Sequence, residues 1–163
     1  PMLEAVSEFA SRAGEKLRKQ GSFASQVYVF AHTSPFRPPP QFSRGVMVPL
    51  RRPTADSALL VAAAIAGMRR IYEPGYQLAK CGVMLLDLVE SSLYQAELDL
   101  EPGEDSDQSH LMGTIDQLNR RFGKRTVFVG SAGVPQAHEW AMRQERRTPQ
   151  YTTRLADVPI ARA

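Results

Sequence analysis

The chain has 163 residues, 43% of them hydrophobic and 23% charged, with a formal net charge of +3. That length suffices for one domain with a real core plus a smaller appendage. No stretch approaches the roughly 20 apolar residues that cross a bilayer, and Pro1-Met2-Leu3-Glu4 lacks the order of a signal peptide. A single cysteine, Cys81, excludes an internal disulfide framework and fits a cytoplasmic, reducing setting.

Charge is arranged in blocks. Residues 1–90 hold eleven Lys/Arg against seven Asp/Glu, residues 91–116 hold seven acids and no Lys or Arg, and residues 117–163 hold nine Lys/Arg against three acids. Two basic blocks around an acidic bridge suit phosphate backbones, and suit an ordinary solvated surface as well.

In chain order, Leu3, Val6, Ala10, Ala13 and Leu17 mark one face of a helix that Gln20-Gly21 closes. Residues 25–33 alternate as a half-buried strand, with Val27, Val29 and Ala31 inward and Gln26, Tyr28, Phe30 and His32 outward. The proline-rich run from Ser34 to Pro40 is a loop. A second strand spans about 44–50, with Val46, Val48 and Leu50 on one face. A second helix opens at Pro53-Thr54 with Thr54 as its cap, carries Val61, Ile65, Met68 and Tyr72, and stops at Pro74-Gly75. Residues 76–86 form a third strand, with Cys81, Val83 and Leu85 inward and Lys80, Gly82 and Met84 outward.

One strand in front of this order would complete βαββαβ, an α+β antiparallel sheet with both helices on one face and the other face bare. The sequence is read as beginning just after that strand. Residues 101–108 have the composition of a linker. Beyond it, Leu111, Ile115, Leu118 and Phe122 mark a short helix, 125–129 a short strand, 130–133 a turn and 139–147 a turn or two of helix, which together read as a small α/β domain.

Five strings carry a resemblance: His32-Thr33-Ser34-Pro35-Phe36, Val48-Pro49-Leu50, Arg70-Ile71-Tyr72-Glu73-Pro74-Gly75-Tyr76, Lys80-Cys81-Gly82-Val83-Met84-Leu85 and Pro149-Gln150-Tyr151-Thr152-Thr153-Arg154. They occur in the order found in the UmuC family of Y-family translesion DNA polymerases, which this chain resembles in its C-terminal part. The resemblance implies a little-finger DNA-binding domain over residues 1–90, an acidic linker over 91–108 and a UmuC-type C-terminal domain over 109–163. It also implies error-prone synthesis past damaged bases in the SOS response. The palm that holds Mg²⁺ in that family would precede Pro1, so no catalytic or metal-binding residue is assigned, no cofactor is expected in this chain, and the chain alone is expected not to polymerise DNA.

The bare sheet face is expected to be cationic and to grip primer–template DNA. The residues assigned to phosphates are Arg37, Arg44, Arg51 and Lys80, with Ser34 in the first string beside them; the alternative is that they are solvated edge charges. Three or four such contacts imply sequence-tolerant, salt-sensitive binding in the range of about 10⁻⁴ to 10⁻⁶ M. Tyr28 and Phe30 either cover the open face or pack on other domains.

Between the two domains, where the family carries a sliding-clamp peptide, Gln95, Leu98 and Leu100 fit a Gln-x-x-Leu-x-Leu form; Ala96 stands where leucine is usual and no phenylalanine follows. An ordinary strand extension is the other reading. Cys81 reads as a buried structural thiol. His32, His110 and His138 lack metal-ligand rhythm, and Trp140 and Met142 read as anchors of a small core. The family's partners include the UmuD′ dimer and RecA, without residues that can be assigned to them here. Two other classes compete with a DNA-gripping part: a protein-interaction module that docks polymerase accessory proteins, and an RNA-recognition sheet, disfavoured because the glycine-spaced aromatic signature is absent.

Overall fold

The computed structural model describes residues 1–91, 108–134, 138, 140–141 and 148–160. The first helix, α1 (Met2–Gln20), buries Val6, Ala10, Gly14 and Leu17 along the stripe set by its apolar spacing. It ends where Gly21 adopts a left-handed φ of 71° and donates its N–H to the Arg18 carbonyl. Strand β1 (Ser22–Thr33) follows, then β2 (Ser43–Thr54), helix α2 (Ser57–Ile71) and β3 (Leu78–Glu90).

The three strands form an antiparallel sheet in the order β2-β1-β3. This is an α+β arrangement, consistent with a little-finger-like domain. Both helices lie on one face, α1 over β3 and β1 and α2 over β2 and β1. The core between the layers joins Val6 and Ala10 of α1, Leu60, Val61, Ala64, Met68 and Ile71 of α2, and Val27, Val29 and Ala31 of β1. Each fully buried valine contributes on the order of 1.5–3 kcal/mol, so the inward β1 triplet fixes which face the helices cover. Cys81, Val83 and Leu85 of β3 and Val46 and Leu50 of β2 pack at its margins, as the alternation indicates.

The element ends differ from the sequence reading. Strand β2 runs on to Thr54, and Asp56 rather than Thr54 caps α2, its Oδ1 accepting the Ala58 N–H at 2.7 Å. Thr54 instead accepts the Asp56 N–H at 3.0 Å, so the pair Thr54 and Asp56 makes the corner together. The register of β1 against β2 shifts between Ala24 and Gln26, a bulge that the short alternating window did not reveal.

Among residues 108–134, α3 (Ser109–Phe122) forms as read. Residues 124–127 turn and bend, and 128–129 join no sheet, in place of the expected strand, because Arg125 sits at φ 67° and breaks an extended run. Residues 130–132 form a short 3-10 turn. Most of the expected 139–147 helix lies outside the described residues, as do Met142 and the clamp-type residues Gln95, Leu98 and Leu100.

This second segment packs on the outer side of α1. Arg18 pairs with Asp116 of α3, Nε to Oδ2 at 2.7 Å and Nη2 to Oδ1 at 2.8 Å. The buried Glu8 carboxylate is met by Arg12 at 2.6 Å and by Arg125 at 3.4 Å, and Glu4 contacts His138 Nδ1 at 2.7 Å. Phe9 meets the Trp140 ring edge-on at 5.5 Å, so Trp140 anchors the appendage to α1. The C-terminal segment therefore lies behind the helices, on the side away from the open sheet face. Among the described residues no helix is long and apolar enough to cross a membrane.

A candidate nucleic-acid interface

The sheet face opposite the helices is uncovered by any element among the described residues. Its centre is a ladder of nearly parallel rings on β1. Tyr28 and Phe30 are 6.0 Å apart at 26°, and Phe30 and His32 are 6.2 Å apart at 13°. The strand period of two places these three side chains on one side, and the neighbouring strands supply room for them. Phe30 is flanked by Gly45 on β2 and Gly82 on β3. A Cβ at Gly82 would stand 2.5 Å from the Phe30 ring, and one at Gly45 would collide with Tyr28. The glycines are therefore the seats of the rings. Met47 and Met84 flank Tyr28 on either side and are 58% and 47% exposed.

Charge sits at the two ends of this face. Lys80 pairs with His32 in the β1–β3 register and is exposed. Arg51, also exposed, lies on β2 two residues past Pro49, the partner of Gln26. Between six and eight residues of β1 separate these two rows, roughly 20–26 Å at about 3.3 Å per residue. Asp87 adds a negative charge, its carboxylate accepting the Gln26 side-chain amide at 2.5 Å. The centre of the face is thus aromatic and apolar, and the cations expected on this front stand at its ends.

The four assigned cations separate. Arg51 and Lys80 belong to the open face. Arg37 lies in the β1–β2 loop and donates to Gln77 Oε1 at 2.7 Å, which holds it beside the start of β3 and the Lys80 end. Ser34 is in the same loop, its hydroxyl accepting the Phe36 N–H at 3.4 Å. Arg44 does not join them. It pairs with the inward residue Ala31, lies 2.8 Å from Glu73 after α2, and stacks over Phe42 at 5.2 Å. Its charge is engaged on the helix side of the sheet.

Cys81 is half-buried on the helix side, and burial raises its thiol pKa above the ordinary value, as for a structural cysteine. Among the described residues no group of His, Cys, Asp and Glu could hold a metal ion. The glycine seats and the Glu4, Glu8, Arg125 and His138 cluster were not singled out from sequence. Gly45 and Gly82 inside strands were the available signal for the first; nothing in local sequence signals the second.

A family model described as the impB/mucB/samB family C-terminal domain matches residues 1–98. The chain belongs to the impB/mucB/samB family. A second model, described as a domain of unknown function (DUF4113), matches residues 109–161. The chain is 37% identical over 164 residues to protein ImpB of Salmonella typhimurium, covering 99% of this chain and 38% of the relative. Protein SamB of the same organism gives the same identity and coverage. Protein UmuC of Salmonella typhimurium is 34% identical over 158 residues, covering 96% of this chain and 37% of that protein. The chain therefore spans less than two fifths of the length of these relatives. They are UmuC-type relatives of the Y-family polymerases, the group that the five strings indicate. No solved structure gives a significant match.

The impB/mucB/samB segment holds α1 to β3 and with them the whole open face. The second segment holds α3, Arg125 and Trp140, the groups packed behind α1.

Proposed function

We propose that this chain is the part of an error-prone translesion DNA polymerase that grips primer–template DNA in the damage response, working in the cytoplasm with its catalytic palm elsewhere in the whole protein. The observation that carries this reading is the uncovered three-strand face with Lys80 and Arg51 on its opposite outer strands.

Two inter-strand spacings make such a sheet about 10 Å wide between its outer strand axes. The major groove opens about 12 Å. A face of this width can lie along the groove while cations on β2 and β3 reach phosphates on opposite banks. The centre offers only the Tyr28 hydroxyl and the His32 ring as donors, between Phe30, Met47 and Met84, and so sparse a set suits sequence-tolerant contact. Phosphate contact of this kind releases counterions, at a slope of about −0.9 per phosphate in log affinity against log salt. The test is fluorescence anisotropy of the chain with primer–template DNA over a salt series. Micromolar binding that weakens steeply with salt supports the reading, and no binding at low salt removes it.

Gln95, Leu98 and Leu100 are proposed to engage a sliding clamp, the glutamine at the mouth of a pocket and the leucines in an apolar groove. Mg²⁺ belongs, on this reading, to the rest of the polymerase, and UmuD′-type and RecA partners are reached through the whole protein. The exposure of Met47 and Met84 favours a second reading, in which the same face docks an accessory protein. Binding to such a protein that is insensitive to salt and to Lys80 or Arg51 would separate it from the first.

A further inference from the structure

The β1–β2 loop, residues 34–41, carries Phe36 at its tip, 96% exposed. The loop is held in one shape. Its base is closed where the Thr33 N–H donates to the Phe42 carbonyl at 2.9 Å and the Phe42 N–H donates to Thr33 Oγ1 at 3.1 Å. The Arg37 N–H donates to the Ser34 carbonyl at 3.2 Å, making a tight turn with Pro35 and Phe36 at its centre. The Gln41 side-chain amide crosses the loop to the carbonyls of Pro35 at 3.3 Å and Arg37 at 3.0 Å. Pro35, Pro38, Pro39 and Pro40 each fix φ, and Arg37 ties the tip to Gln77.

A single exposed apolar residue on a loose loop needs no explanation. A phenylalanine held almost wholly in water by a loop this constrained is different, because its entropy of ordering is lost before any partner arrives. Arg37 adjoins it in sequence, and Lys80 stands at the same end of the sheet, two residues past Leu78, the partner of Thr33. An exposed aromatic ring with one cation next to it in sequence and another at the same end of the sheet suits a π-faced, phosphate-bearing partner better than an apolar protein pocket.

We infer that Phe36 is a stacking platform for an unpaired base where single-stranded template leaves the duplex, an inference that rests on the DNA grip proposed above. Arg37 and Lys80 hold the flanking phosphates, and the ring caps the base beside them. The loop thereby distinguishes a strand junction from uninterrupted duplex, which the groove-lying sheet face cannot do.

The test compares the full chain on two DNA probes at one salt concentration, a blunt duplex and the same duplex with a single-stranded template overhang. Wild type is expected to bind the overhang probe more tightly, by between about five-fold and a hundred-fold, the range for one stacked base. Phe36→Ala, at a position too exposed to threaten the fold, should lower the overhang affinity to the blunt level and leave blunt binding unchanged. Phe36→Trp should keep the preference, and its indole fluorescence should be quenched by the overhang probe alone. Equal wild-type affinity for the two probes, or a Phe36→Ala chain that keeps the preference, overturns the stacking role and leaves the DNA grip standing. Failure of wild type to bind either probe overturns both. A Phe36→Ala chain that binds both probes normally yet loses binding to a purified clamp or UmuD′-type protein assigns the ring to a protein pocket, and also overturns the inference.

Discussion

Arg18 and Asp116, ninety-eight positions apart, form a two-pronged ion pair at 2.7 and 2.8 Å that joins α1 to α3. Arg18 also donates through Nη1 to the Ala55 carbonyl and Ser57 Oγ, at 2.6 and 2.9 Å. One guanidinium therefore ties together the start of α2, the end of α1 and the C-terminal segment. Both partners are mostly buried, which places the pair between exposed and buried ion pairs in value. Asp116→Ala is expected to destabilise the docked segment by about 1–3 kcal/mol, and Arg18→Ala by more, since it also strips the corner before α2. Limited proteolysis should release the C-terminal segment first in Asp116→Ala, and urea unfolding should show the larger loss in Arg18→Ala.

Lys80→Glu and Arg51→Glu should each weaken DNA binding and flatten its salt dependence, by about 0.9 in log–log slope for every phosphate that is no longer neutralised. Arg44→Ala should leave the slope unchanged, because that side chain is engaged by Glu73 on the helix side. Anisotropy titrations at four or so salt concentrations measure all three.

Gly82→Ala places a methyl group 2.5 Å from the Phe30 ring and should cost about 1–3 kcal/mol by overpacking. A Gly82→Ala, Phe30→Leu double variant should recover part of that cost, so that the two changes are not additive. Chemical unfolding of the four members of the cycle decides it. Additive losses would mean that the ring is not seated on the glycine.

The raised pKa of the half-buried Cys81 thiol leaves little thiolate at neutral pH. Alkylation should be slow in the folded chain and fast in denaturant. Because folding favours the protonated thiol, its contribution to stability is complete below the ordinary thiol pKa. It is lost as pH rises through the unfolded value toward the raised folded one.

Gln95→Ala with Leu98→Ala should abolish capture of the chain by a purified sliding clamp while leaving DNA binding intact. Retained capture would show that these residues are not the clamp peptide.

The layer structure was legible because β1 alternates strictly through Val27, Val29 and Ala31, and only one face of such a strand can be buried beneath two amphipathic helices. The front was legible as a set of residues but not as a chemistry. Tyr28, Phe30 and His32 acquire their character from Gly45 and Gly82 on neighbouring strands, and pairing register is not a local property. Arg44 stands two residues before Val46, so the strand period already puts it on the helix side; its charge was the weaker signal. The corner at Thr54 and Asp56 offers two good capping residues, and only the run of β2 decides between them. The packing of Arg125, His138 and Trp140 on α1 depends on partners far apart in sequence, which no helix stripe or turn signal encodes.

The most direct measurement is an NMR titration of the isotope-labelled chain with primer–template DNA. The expected result is that shift changes concentrate at Tyr28, Phe30, His32, Arg51, Lys80 and Met84, on the face away from the helices. Changes confined to the exposed basic positions of the helices, such as Lys16, Arg69 and Arg70, with those six unmoved, would contradict it.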